Sequence, residues 1–181
     1  MAEPTQFSND RTRVGNLNTH NRYMLTKPHE IDPERLKSER HRVSLAMSKF
    51  TLPLLRGIYS KFQGDLVMAM VLGEIATHNV GAWLSSKGND PHALDDVQAH
   101  ERILRPCNAL SISDATDIPR ETVRRKVDSL IEKGWIYRSE NGHLFVHPSV
   151  ADNFDHMTTE MVSSLMSSAD HIKELIAENA K

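Results

Sequence analysis

The sequence predicts a mainly α fold with one small β-hairpin, and three observations carry that expectation. Residues 108–147 read in order as a short helix, a tight turn, a second helix with an arginine-rich outer face, and a hairpin. The segment from about Ser149 to Glu178 repeats apolar residues at steps of three and four, the period of a single helix face. Hydrophobic residues make up 39% of the chain, below the usual average, which suits extended helices and tails better than one large core.

Residues 1–31 are poor in apolar side chains and contain Pro4, Gly15, Pro28 and several asparagines, so a flexible basic arm is expected. Arg11, Arg13 and Arg22 could track phosphates or enter a minor groove, although a solvated tail is the plainer reading. An N-terminal helical segment is expected over 32–63. Asp32-Pro33-Glu34 supplies a cap, a proline and an acid in the first turn, and the helix should run to about Ser48 with Leu36, Val43, Ala46 and Met47 inward. Pro53 should break or kink it, and a short helix should follow through Phe62.

A domain over 64–148 opens with the most hydrophobic stretch. Leu66–Ile75 is apolar around nearly its whole circumference, which predicts a central, buried helix over Leu66–Asn79. Residues 85–92 read as a loop, and a short helix should span about Asp95 to Leu104. Asn108 can cap the next helix, with Ala109, Ile112 and Ala115 inward. Asp117 falls where the turn needs a left-handed residue, and Pro119 suits the start of the following helix. That helix should reach about Lys133 and stop at Gly134. Val123, Val127, Leu130 and Ile131 form its buried stripe, and Arg125 lies opposite. Alternation over Trp135–Ser139, the Asn141-Gly142 turn signal and return over His143–His147, with Leu144 and Val146 on one face, predict the hairpin.

Residues 108–147 resemble the winged helix-turn-helix of bacterial transcription regulators, as in the MarR, GntR and catabolite-activator groups. The run Arg120-Glu121-Thr122-Val123-x-Arg125 is most similar to the recognition helix of the catabolite-activator group. The resemblance covers about a quarter of the chain. It implies a winged helix-turn-helix domain flanked by N- and C-terminal helices, a DNA-binding function, and base contacts from Arg120, Glu121 and Arg125. Arginine can pair bidentately with guanine, and glutamate can accept from the cytosine amino group. Thr122, Arg124 and Lys126 on the same helix, with Arg138 and His143 on the wing, complete the expected interface with double-stranded DNA. Two positions depart from the pattern: Pro119 stands where a serine is usual, and Asp117 where the turn glycine is usual. Winged helices also serve as protein-binding modules, and that alternative stays open.

Charge is unevenly spread. The net charge is −2, yet residues 1–63 carry 11 basic and 6 acidic side chains, and residues 105–148 carry 7 and 6. Residues 64–104 and 149–181 each carry 2 basic and 6 acidic. Phosphate binding responds to the local field, so this distribution is compatible with DNA. The single cysteine, Cys107, excludes an intramolecular disulfide framework and multi-cysteine zinc sites, and favours a cytoplasmic setting. No apolar run reaches membrane-spanning length, and no membrane partner is expected.

No enzyme is expected, because there is no phosphate-binding glycine loop with lysine and no nucleophile elbow. No cofactor or metal is expected either. His92, Asp96 and His100 could gather on one face, and His143 and His147 share a strand face, but there is no His-Glu-x-x-His helix and no cysteine pair. Residues 149–181 should form a C-terminal dimerisation helix. Its stripe of Phe154, Met157, Met161, Leu165, Ala169, Ile172 and Leu175 is too long for a small domain to cover, which implies a homodimer. The other solution is packing on the N-terminal helices within one chain.

Overall fold

The computed structural model describes residues 29–84 and 90–177. The expected basic arm, including Arg11, Arg13 and Arg22, lies outside the described residues, as does most of the expected 85–92 loop. Residues 1–31 and 32–181 form separate units, and every described helix and strand belongs to the second.

Seven α-helices and one hairpin are described: α1 (Pro33–Ser38), α2 (Arg40–Lys61), α3 (Leu66–Leu84), α4 (Val97–Ile103), α5 (Ala109–Thr116), α6 (Arg120–Glu132), β1 (Ile136–Arg138), β2 (Leu144–Val146) and α7 (Ser149–Ile176). A short 3-10 helix, Pro91–Asp95, precedes α4. The mainly α class with a small hairpin is as the sequence indicates. Among the described residues no helix is long and apolar enough to cross a membrane.

Asp32 caps α1 as expected, its carboxylate accepting from the Glu34 N–H at 2.9 Å. The rest of the 32–63 expectation changes. The helix is interrupted at Glu39 rather than at Pro53, and α2 then continues through Pro53 to Lys61. Packing decides this. The face of α2 that carries Phe50, Pro53, Leu54 and Gly57 lies against Met157 and Met161 of α7. An apolar face held along its length offsets the hydrogen bond that proline removes. The two helices run antiparallel. Arg35, in α1 just ahead of α2, donates to the Leu175 carbonyl near the end of α7, and Lys61 donates to the Asn153 carbonyl near its start.

The core gathers around α3. Met68, Val71, Leu72 and Ile75 are buried against Ile112 of α5, Val123, Val127 and Leu130 of α6, and Ile136 and Leu144 of the hairpin. Burial of α3 is one-sided, however. Leu66 and Met70 remain exposed, so its circumferential apolarity is not matched by circumferential cover. Phe62, Trp135 and Phe154 pack mutually, with ring centroids 5.3–5.8 Å apart, and join the α2–α7 pair to this core.

Asn79 organises the junction between α3 and the hairpin. Fully buried, it donates through Nδ2 to the carbonyls of Arg105 and Leu144 and accepts at Oδ1 from the Val146 N–H. Beside it, Cys107 forms an antiparallel bridge with Leu144, whose N–H donates to the Cys107 carbonyl at 2.9 Å. The hairpin therefore gains a one-residue third strand. Burial pushes the Cys107 thiol up to about 12, so it stays protonated and unreactive at neutral pH.

The hairpin turn also differs from a two-residue Asn-Gly turn. Only Gly142 has positive φ, at 79°, and its N–H donates to the Ser139 carbonyl. This is a three-residue loop closed by a left-handed glycine. Both faces of β2 are covered. Leu144 faces α3, and Phe145 is buried against Tyr137, which stacks on His100 of α4. His100 donates from Nε2 to the Leu94 carbonyl at 2.8 Å, while His92 is exposed and lies 3.7 Å from Asp95. The His92, Asp96 and His100 set therefore does not converge.

Candidate nucleic-acid interface

Local rules set the α5–α6 geometry. The Asn108 side chain accepts from the N–H groups of Leu110 and Ser111, and the Ser111 hydroxyl accepts from the Asn108 N–H, a reciprocal cap. α5 ends at Asp117, which adopts φ 56° and ψ 14°, the left-handed conformation expected there. Ser113 donates to the Ile118 carbonyl at 2.7 Å and closes the turn. α6 then starts at Arg120, with Pro119 at its cap.

Val123, Val127 and Leu130 are fully buried, which turns the opposite face of α6 to solvent. Arg125 lies on that face with Glu121 beside it, and Arg124 and Arg120 are exposed at its flank and at the helix start. Their pairing is unequal. Arg124 holds Glu121 through two hydrogen bonds of 2.8 and 3.0 Å and lies 3.9 Å from Asp128. The hydrogen bonds from Arg124 keep the Glu121 carboxyl below the usual range and raise the Arg124 guanidinium in turn. The side chains of Arg120 and Arg125 form no hydrogen bond and no close ion pair among the described residues, Arg125 acting on Glu121 only through its charge, so both guanidinium groups can still meet a ligand.

The remaining expected contacts are spread more widely. Lys126 is half-buried and bound to Asp65 at the start of α3, away from the open face. Asp65 also accepts from the Met68 N–H at 2.9 Å. Burial acts to raise the Asp65 carboxyl, but the Lys126 hydrogen bond and charge with the Met68 N–H together bring it below its ordinary value. Arg138 on β1 reaches to 3.9 Å from Asp128, so one carboxylate links the outer face of α6 to the hairpin. Thr122 and His143 are half-buried.

Sequence reasoning assigned no role to the carboxylates Asp65 and Asp128, which hold three of the cations. Asp128 stands four residues after Arg124, an ordinary helical ion-pair spacing that could have flagged it. No signal in the chain links Asp65 to Lys126 across 61 positions.

No protein-family model, curated protein or solved structure matches the chain. The functional reading therefore rests on the residues and their arrangement.

Proposed function

We propose that the chain is a DNA-binding transcriptional regulator of winged helix-turn-helix architecture that reads duplex DNA with α6. The observation that carries this reading is the pair of arginines, Arg120 and Arg125, exposed on a helix whose inner face is locked into the core. The order α3, bridge residue Cys107, α5, α6 and hairpin supports it, because such domains dock the second helix of the turn in the major groove with the wing alongside. Arg120 and Arg125 make the base or phosphate contacts. Arg138 on the wing contacts the backbone, and Glu121 reads a base only by exchanging Arg124 for it.

A second reading, a winged-helix module that binds protein, is favoured by one specific feature. Arg124, Lys126 and Arg138 all have carboxylate partners within the chain, which lowers the positive field of this face. Titration of fluorescent random-sequence duplex at two salt concentrations separates the two. The DNA reading predicts binding that weakens with salt by roughly 0.9 log units per tenfold salt for each phosphate contacted. Absence of binding at low salt by the folded protein favours the protein-binding module.

A further inference from the structure

The stripe of α7 that suggests self-association from sequence is largely taken up by α2 of the same chain: Met157 and Met161 line that contact. A second apolar surface is left over. At about 100° per residue, Leu52, Leu55 and Tyr59 fall on one side of α2, directed away from the face on α7, and Leu45 continues their line to the edge of a cleft that it shares with His171 and Leu175 of α7. These four side chains are 49–59% exposed. On α7, Val162, Leu165 and Met166 are 46–56% exposed; the helical period turns Val162 and Met166 away from Met157 and Met161, with Leu165 at the border.

We infer that these two surfaces dock on each other between two copies of the chain, α2 of one copy on α7 of the other, twice in a symmetric dimer. Charge selects this pairing. α2 carries Arg40, Arg42, Lys49, Arg56 and Lys61 and no acidic residue, whereas α7 carries five carboxylates and one lysine. An α2–α2 contact sets like charges together, and an α2–α7 contact sets opposite ones together. The borders agree: Lys49 and Arg56 edge the α2 line, and Asp155 and Asp170 edge the α7 surface. The area is also adequate. Seven large side chains, each about half exposed, leave on the order of 700 Å² per copy, near the roughly 800 Å² that each partner gives to a standard interface.

Sedimentation of the full chain without DNA at about 10 µM, where interfaces of this size hold, tests this independently of the DNA reading. A dimer is expected. Leu52→Glu should weaken it by at least about tenfold, since it sets a carboxylate in an apolar contact, while leaving the helical signal intact because Leu52 is exposed in the single chain. Lys49→Glu with Arg56→Glu should also weaken it, and adding Asp155→Lys with Asp170→Lys should restore it. This charge swap keeps the apolar face and decides the matter should Leu52→Glu misfold. A monomeric full chain, including one in which residues 1–28 cover the face, overturns the inference. So does a dimer indifferent to Leu52→Glu, or a charge swap without rescue.

Discussion

Asn79 shows how one side chain can set the relation of three elements. Its amide satisfies two carbonyls and one N–H at the junction of α3, the Cys107 bridge and β2. Asn79→Ala leaves those buried groups unpaired and should cost about 2–4 kcal/mol, read from the midpoint of urea unfolding. Asp65 makes a pH-dependent contribution. Its carboxyl is lowered in the folded chain, so its stabilisation is present above the unfolded aspartate value, about 3.9, and is lost as pH falls through the folded value. The stability difference between the wild type and Asp65→Asn, on the order of 1 kcal/mol near neutral pH, should therefore shrink below about pH 4 in unfolding titrations. A difference that grows with acid contradicts the assigned pairing with Lys126.

Elements governed by neighbouring residues were legible in the sequence, and those governed by distant packing were not. The reciprocal cap at Asn108, the left-handed Asp117 and the stop at Gly134 are local events, and each occurs where expected. α2 passes through Pro53 because α7, about a hundred residues later, covers that face. Phe145 is buried against Tyr137, which His100 of α4 backs in turn, and no strand alternation reveals this. Arg125 lies opposite the buried stripe with Glu121 beside it, as the helical period dictates, and Arg124 and Arg120 are exposed at its flank and at the helix start, whereas the diversion of Lys126 to Asp65 depends on tertiary geometry. The turn itself offers a test. Asp117 adopts a conformation that glycine takes without steric cost. Asp117→Gly should raise stability by about 0.5–1 kcal/mol, as a higher thermal midpoint, and Asp117→Val should lower it.

At the scale of the whole molecule, a small core built on α3 presents α6 on one surface, and the antiparallel α2–α7 pair extends the same unit. The five carboxylates of α7 and the exposed arginines of α6 show that the net charge of −2 is unevenly spread over the chain, and a ligand responds to the local field. Pairing two copies would couple two recognition helices. Half-sites about 34–36 Å apart, one turn of DNA, then follow from the two-fold axis. The central claim is that α6 reads DNA through Arg120 and Arg125. Its most direct test is the affinity of the wild type and of Arg120→Ala with Arg125→Ala for duplex DNA enriched from a random pool by the wild type, compared at two salt concentrations. The account predicts that the folded double variant loses about 1–3 kcal/mol per arginine that pairs with a base, or about one unit of salt slope per arginine that neutralises a phosphate. Equal affinity and equal salt slope for the two proteins would contradict it.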